Sequence, residues 1–210
     1  MVRRLTVTWH LITTNNCPFH IQVRQLRHAL KNINIIHVRN KEASLQRLKQ
    51  QVDQLCKIGL RHDQIILNEH AEAAAAWGLG GVHLPSNSPL TAKDIKRRAP
   101  GLQVGASVHS LEEAKARAEE EVDYLYYGHV YPSASKPDDP ARGLEALQSV
   151  AASVRTPVLA IGGITRSRLG EISRTGASGI ALISGFWEAE KPEEEAVHFN
   201  CFGQMNYEAT

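Results

Sequence analysis

Short apolar runs and longer amphipathic segments alternate along the whole chain. Short runs that are continuously apolar, or that alternate apolar with polar residues, are typical of strands, whereas apolar residues spaced three or four apart are typical of helices. The predicted strands cover residues 5–13, 34–38, 64–67, 81–84, 102–107, 122–130, 157–161 and 179–184, with helical segments between them. Eight strand–helix units predict an α/β fold, a single-domain (β/α)₈ TIM barrel over residues 1–210.

The principal alternative to a barrel is a doubly wound open sheet. Such a sheet normally has fewer strands and a glycine fingerprint in its first strand-to-helix turn, which this chain lacks. No linker or change of composition marks a second domain. The residues from Phe199 onward show no clear period, so 199–210 form an unassigned C-terminal tail.

The stretch PVLAIGGITRSRLGEISRTGASGIALISG, residues 157–185, predicts a strand, a glycine turn, a helix, a second glycine turn and a strand. Gly162 and Gly163 end the first strand, and Ser184-Gly185 begins the last helix. In a (β/α)₈ barrel the loops after strands 7 and 8 commonly bind a substrate phosphate through free backbone N–H groups. We therefore predict a phosphate cup here, with glycines that serve only as turn residues as the alternative.

Composition and charge argue against several classes of partner. The 24 basic and 22 acidic residues give a formal charge of +2 and are spread along the chain, so neither nucleic acid nor an anionic membrane is expected to bind. The N-terminal segment lacks the apolar region of a signal peptide, and no segment has the roughly 20 apolar residues that span a bilayer. We expect a cytoplasmic homo-oligomer that binds a small molecule.

The cysteines and the known catalytic motifs indicate no metal site. Cys17, Cys56 and Cys201 are far apart and form no CxxC pair, which fits a reducing compartment better than a disulfide framework or a zinc site. The chain has no GxSxG or HExxH motif and no dense Cys/His cluster. We predict that the protein uses no metal and no cofactor.

Polar residues stand at nearly every predicted strand end, and a barrel would bring these ends to one mouth. They are Thr13, His37, Arg39, Lys41, Asn68, Ser107, His83, His109, His129, Gly162, Gly163 and Ser184. Polar ends on apolar strands favour an enzyme over a scaffold. Plainer explanations stay open for single residues, since Arg39 and Lys41 could be a solvated charge run and Asn68 a turn former. His83 could equally be a hydrogen-bonded core histidine.

His129 has a distinctive position among these residues. It follows Gly128 at the end of the sixth strand and directly precedes a long loop, residues 131–143. Its imidazole is predicted to reach the mouth with room for a ligand above it. Because an imidazole titrates near neutral pH, it can both accept and donate a proton there. We predict His129 as the catalytic acid/base.

Seven short motifs, each at a predicted strand end, together resemble one family. They are HVRNK, ILNEH, GVHLP, GASVHS, DYLYYGHVYPSASK, AIGGI and GIALISG. They resemble the thiamine phosphate synthase/TenI superfamily of barrels, over residues of about 9–195. The resemblance implies a thiazole phosphate held in the predicted phosphate cup, at Gly162, Gly163, Ile183 and Ser184.

Within that superfamily the chain resembles the TenI branch of thiazole tautomerases. His129 stands where the synthase pattern has a proline, and His37 replaces the synthase glutamine before the arginine of the second strand. The synthase aspartates that hold Mg²⁺ are also missing, because the chain has Glu69 and, after GVHLP, residues 86–88 without an acid. A site with one carboxylate is a poor match to magnesium.

The resemblance to the TenI branch implies an isomerase. Its substrate would be a carboxylated dihydrothiazole phosphate, its product the aromatic 2-carboxy-4-methylthiazole phosphate, and His129 would move the proton. The cup would hold the phosphate, while Arg39, Lys41 or Lys136 would pair with the ring carboxylate.

Two other functions stay open. Five residues match binding positions of the synthase, which joins thiazole phosphate to hydroxymethylpyrimidine pyrophosphate, so that transferase is the alternative. The five are Arg39, Lys41, Asn68, Ser107 and Lys136. A non-catalytic regulatory protein of the same fold is the third possibility, disfavoured because the chain has no helix-turn-helix motif and no basic face.

Overall fold

The structure is a computed structural model that describes residues 8–133 and 139–202. Its eight strands, β1 to β8, are Thr8–Ile12, Ile35–Val38, Ile65–Asn68, Gly81–Leu84, Gln103–Val108, Tyr124–Gly128, Val158–Ile161 and Gly179–Leu182. Each strand pairs in parallel with the next one along the chain, and β8 pairs with β1, so the sheet closes into a barrel. The predicted single-domain (β/α)₈ TIM barrel is confirmed.

Helices surround the barrel. In the described residues, helices α1 to α9 are Phe19–Ala29, Leu45–Lys57, Ala71–Ala76, Ala92–Arg98, Leu111–Glu119, Gly143–Ser153, Leu169–Ser173, Ser184–Trp187 and Pro192–Asn200. None of these helices has the length and apolar character that crossing a membrane requires. Helix α5 is capped at its N-terminus, because the Ser110 side chain accepts a hydrogen bond from the Glu113 N–H.

The outer faces of the strands form the main hydrophobic core. Fully buried residues such as Leu11 on β1 and Val38 on β2 belong to one cluster with Leu26 of α1 and Leu48 of α2. Strands covered by helices on one face and closed on the other are apolar nearly throughout. This burial on both faces explains why the strands are short apolar runs in the sequence.

The inner faces of the strands form a second, smaller cluster. Ile12, Tyr124, Tyr126, Leu159 and Ala181 pack together there. Contacts between β1 and β6, which are not neighbours in the sheet, place these side chains inside the barrel.

The C-terminal segment, left unassigned from the sequence, is partly helical. Helix α9 extends to Asn200, and the Phe199 ring lies 5.8 Å from the ring of Trp9 in β1. Phe202 is buried as well. This part of the predicted tail therefore closes the core beside the first strand, while residues 203–210 lie outside the described residues.

The last strand ends earlier than predicted. β8 stops at Leu182, because Ile183 has φ −124° and ψ −92° and turns the chain into α8 at Ser184. The helix predicted between the two glycine turns is also divided, into a 3₁₀ turn at Arg166–Arg168 and the short helix α7.

Candidate active site

The carboxyl ends of the eight strands surround one opening of the barrel, called here the mouth. Because the strands are parallel and the sheet is closed, residues that follow different strands meet at this opening. The predicted site residues found here are Arg39, Lys41, Asn68, Ser107, His129, Gly162, Gly163, Ile183 and Ser184. Lys41 is exposed and the others are half-buried or buried. Lys136 lies outside the described residues.

One side of the mouth carries charged and amide side chains. Arg39, Lys41 and Asn68 line one small cavity together with Glu69. The Arg39 N–H donates to Thr13 Oγ1 at 2.9 Å, which fixes the end of β2 against the loop after β1. Cationic side chains on neighbouring loops can bind phosphate oxygens by charge-assisted hydrogen bonds. We call this side of the mouth the cation side.

Another side of the mouth, after β7 and β8, contains the predicted phosphate cup. Gly162 has φ +96° and Gly163 has φ +64°, values that favour glycine strongly. A Cβ on Gly163 would lie 2.6 Å from the Pro132 carbonyl oxygen, so glycine is required on steric grounds too. In the described residues the N–H groups of Gly163, Ser184 and Gly185 donate to no backbone carbonyl. The cup therefore offers free backbone donors to an anion.

The loops after β6, β7 and β8 are in close contact. A Cβ on Gly162 would collide with the Cβ of His129, and a Cβ on Gly185 would collide with the Ile164 carbonyl oxygen. Close contact of this kind fixes the relative positions of the backbone groups that form the cup.

The imidazole of His129 is buried and contacts Asp139, a described residue of the segment that follows β6. The residue is 5% exposed, and its Nε2 donates to the Asp139 carbonyl oxygen at 2.8 Å. Nδ1 lies 3.8 Å from the Asp139 carboxylate. The Arg142 N–H also donates to the His129 carbonyl oxygen at 2.9 Å. The ring is thus held against the loop, whereas the sequence predicted an imidazole with open space for a ligand.

His109, another strand-end residue, has a structural contact. Its Nδ1 lies 2.6 Å from the Gly128 carbonyl oxygen, and Arg142 Nε donates to the same oxygen at 3.0 Å. Because a carbonyl only accepts, His109 Nδ1 carries the proton. These two donors stabilise the end of β6.

A network of histidine and tyrosine side chains lies inside the barrel beneath the mouth, and we call it the floor. Tyr126 Oη lies 2.7 Å from His10 Nδ1 and 2.6 Å from His37 Nε2. Tyr124 Oη lies 3.2 Å from His83 Nδ1. His83 Nε2 lies 2.8 Å from Ser107 Oγ, which connects the floor to a predicted binding residue.

The floor is uncharged at neutral pH. Burial lowers the pKa of His10 to about 3. Burial, followed by the charges of His10 and Arg39, lowers the pKa of His83 to about 3. The pKa of His37 lies well below its ordinary value, again mainly through burial. The floor therefore offers hydrogen-bonding groups without formal charge.

The sequence analysis did not single out His10, Tyr124 or Tyr126. The signal was present in the strand alternation, because His10 lies between the outward-facing Trp9 and Leu11, and Tyr124 and Tyr126 are two positions apart. A polar side chain at an inward position of a short barrel strand predicts a polar interior.

Comparisons with known proteins agree with this geometry. The family model described as thiamine monophosphate synthase (TMP-TENI) matches residues 9–186. A thiamine-phosphate synthase from Caldivirga maquilingensis is 36% identical over 169 residues, which are 80% of this chain and 82% of the relative. The corresponding enzyme from Chlorobium luteolum is 37% identical over 165 residues, 78% of each chain. The solved structure of thiamine phosphate pyrophosphorylase from Pyrococcus furiosus has a TM-score of 0.81 at 30% identity and covers 95% of this chain and 96% of that one.

These relatives overturn the prediction of a thiazole tautomerase. They carry the name of a synthase, a transferase, so the predicted isomerase class is wrong. One of the three arguments for the tautomerase branch was His129 in place of a proline, and in the structure Nε2 of that residue donates to the Asp139 carbonyl oxygen. With residues 9–186 matched by the family model and relatives above 30% identity over most of the chain, the protein belongs to the thiamine monophosphate synthase family.

Proposed function

We propose that the protein is a thiamine-phosphate synthase, which joins thiazole phosphate to hydroxymethylpyrimidine pyrophosphate. The observation that supports this proposal is that one mouth carries two separate sets of groups suited to anions, the side chains of the cation side and the backbone N–H groups of the cup. Arg39 and Lys41 follow β2 and the cup follows β7 and β8, which lie three and two strands away in the closed ring, so the cation side and the phosphate cup are separate regions of one mouth. A reaction between two phosphorylated substrates requires two such regions, and the names of the relatives support the same reaction class.

The proposed reaction is a substitution at the pyrimidine methylene carbon. The thiazole ring nitrogen supplies an electron pair and forms the new C–N bond. The C–O bond to pyrophosphate breaks, and its electron pair leaves with the pyrophosphate oxygen. The nitrogen becomes positively charged and no proton is transferred in this step, so the reaction needs no acid/base residue at His129.

The cation side would bind the pyrophosphate. Negative charge increases on the pyrophosphate bridging oxygen as the C–O bond breaks, and Arg39 and Lys41 are placed to stabilise it. Asn68, in the same cavity, can donate hydrogen bonds through its amide. The sequence analysis paired these cations with the ring carboxylate of a tautomerase substrate. In the proposed synthase reaction they pair with pyrophosphate instead.

The floor would hold the heterocycle without adding charge. Ser107, hydrogen-bonded to His83, can present its hydroxyl to a ring nitrogen or amino group. Positive charge develops on the pyrimidine carbon as pyrophosphate leaves, and a protonated histidine nearby would oppose it. The low pKa of His83 keeps that residue neutral.

The residues present do not fit a dedicated magnesium site of the kind the resemblance implies. In the part of the chain that the structure describes, no three His, Cys, Asp or Glu side chains are placed to share a metal ion. Glu69 lines the small cavity of the cation side, Glu42 lines a neighbouring cavity with Arg39, and residues 86–88 supply only hydroxyl and amide oxygens. Mg²⁺ is usually held through one or two carboxylates together with substrate phosphates, so the free protein is expected to bind it weakly.

The test is to incubate the full chain with both substrates and to measure thiamine phosphate and pyrophosphate together. We expect the two products in equal amounts, with Mg²⁺ present, and no product when either substrate is omitted. The assay is repeated in EDTA. Because the free protein is expected to bind Mg²⁺ weakly, EDTA should remove the ion, and the repeated assay shows whether turnover needs it. If both substrates bind and neither product forms, the proposed synthase activity is wrong.

The predicted cytoplasmic location, the homo-oligomer and the lack of a nucleic-acid partner stay predictions. Sedimentation of the purified chain measures the oligomeric state directly. A DNA mobility-shift assay at low salt checks the predicted lack of a nucleic-acid partner, because non-specific binding to nucleic acid is strongest at low salt.

A further inference from the structure

Three side chains connect the loop after β6 to the glycine turn of the phosphate cup. Tyr131 follows the end of β6, and Arg168 and Glu171 lie in the segment after the turn. Tyr131 Oη donates to Glu171 Oε1 at 2.7 Å. The Arg168 guanidinium lies over the Tyr131 ring, 4.2 Å from its centre, and donates to the Gly163 carbonyl oxygen. We call these three residues the clamp.

The clamp contacts the backbone of the cup directly, through the Gly163 carbonyl oxygen. A peptide unit is planar and trans, so holding the Gly163 carbonyl fixes the opposite direction of the Ile164 N–H. The Ile164 carbonyl oxygen lies against Gly185, at the start of α8. The Tyr131 N–H donates to the Gly162 carbonyl oxygen at 3.2 Å. Arg168 therefore connects the loop after β6 to the turn after β7, and that turn in its own right lies against the start of α8.

The choice of side chains suits a fixed contact. Arginine can stack on an aromatic ring and at the same time donate hydrogen bonds in its plane, which lysine cannot do. Glu171 orients the Tyr131 ring through its hydroxyl, so the ring remains beneath the guanidinium. The turn at Gly163, with φ +64°, has no side chain of its own to hold it in place.

We propose that Arg168 is a positioning residue of the phosphate cup, which orients the Gly163 turn so that its backbone donors face a phosphate group, with Tyr131 and Glu171 holding the arginine. This inference rests on the proposed function only as far as the cup binds the phosphate of a substrate.

The test compares two ligands by calorimetric titration of the full chain. Thiazole phosphate measures the cup, and the unphosphorylated thiazole alcohol measures the rest of the site. Arg168→Ala is expected to weaken thiazole phosphate binding about tenfold, equal to about 1.4 kcal/mol, and to leave binding of the alcohol unchanged. In the assay its KM for thiazole phosphate should rise in proportion, with kcat at saturation nearly unchanged.

Arg166→Ala is the matched control. Arg166 has the same charge and lies in the same turn, but its side chain is exposed. We expect wild-type binding of both ligands in this variant. Arg168→Lys keeps the charge and should recover only part of the affinity, because the stacked, planar contact is lost.

A milder pair of variants keeps the inference testable if Arg168→Ala does not fold. Tyr131→Phe retains the ring beneath Arg168 and removes only the hydroxyl bond to Glu171. Tyr131→Phe and Glu171→Ala should each weaken thiazole phosphate binding two- to threefold, and the double variant should be no weaker than either, because each removes the same hydrogen bond.

Three results would overturn the inference. They are thiazole phosphate affinity within twofold of wild type in Arg168→Ala, an equal loss for thiazole phosphate and the alcohol, and equal affinity of the two ligands for the wild type. A wild-type protein that binds thiazole phosphate tightly but forms no thiamine phosphate would refute the proposed synthase activity alone. The effect of Arg168→Ala would then still support the clamp.

Discussion

The two sides of the mouth differ in the groups that they offer to the proposed anionic substrates. On the cation side, Arg39 and Lys41 extend charged side chains from the loop after β2. In the phosphate cup, on the other side, the donors are backbone N–H groups around Gly163 and Ser184, and the charged residue nearby, Arg168, contacts a carbonyl of the turn. One side depends on which side chain is present, and the other depends on the shape of the backbone.

This difference suits the two proposed substrates. A pyrophosphate that leaves during the reaction gains charge, and mobile cations can follow its oxygens. A phosphate that only anchors a substrate keeps its charge, so a rigid set of backbone donors is sufficient. Variants on the two sides should therefore fail in different ways.

The largest expected effect concerns the floor shared by both sides. His10, His37 and His83 have folded-state pKa values far below 6.5, so the unfolded chain takes up their protons first as the pH falls. Their contribution to stability is complete above pH 6.5 and is lost below it. Between pH 7 and 5.5 the free energy of unfolding should fall by about 3 kcal/mol, roughly 1 kcal/mol for each histidine.

Urea denaturation at a series of pH values measures this loss. His28→Asn is the control, because His28 is exposed on α1 and the pH dependence should not change. A free energy of unfolding that stays constant between pH 7 and 5.5 would show that the floor does not control acid stability.

The second effect tests the backbone side. Gly163→Ala places a Cβ at φ +64° and against the Pro132 carbonyl oxygen, which should cost about 1–3 kcal/mol of stability. The KM for thiazole phosphate should rise by at least tenfold, whereas the KM for the pyrimidine substrate should change little. Gly101→Ala is the matched control, because a Cβ there meets no atom within 4 Å. Steady-state kinetics with each substrate varied in turn measures both KM values. Equal increases in the two KM values would contradict this expectation.

The smallest effect tests the cation side. Arg39→Ala should lower kcat/KM for hydroxymethylpyrimidine pyrophosphate about tenfold, since a charge-assisted hydrogen bond is worth roughly 1.5–3 kcal/mol and Lys41 remains. Affinity for thiazole phosphate should not change. Arg155→Ala, an exposed arginine before β7, serves as the control. Calorimetry that shows weaker thiazole phosphate binding in Arg39→Ala would remove the distinction between the two sides.

Much of the candidate site was accessible from the sequence because strand ends converge in a closed parallel barrel. Gly162, Gly163 and Ser184 could be placed at the cup from their spacing alone, and Arg39 and Asn68 from their positions after apolar strands. The structure places His129 at the mouth as predicted, but the sequence did not anticipate the contact that covers its ring. The Asp139 carbonyl that holds its Nε2 is ten residues away, in a loop whose path no periodicity predicts.

The sequence by itself determined the fold, since the alternation of apolar strands and amphipathic helices allows few other arrangements to bury those residues. It also determined which residues surround the mouth. Only the tertiary structure decided how they interact: that His10, His37 and Tyr126 form one neutral network, and that Arg168 and Tyr131 meet at the cup. Such contacts join residues 37 to 116 positions apart in the chain, or depend on the path of a loop, and local patterns do not encode distances of that kind.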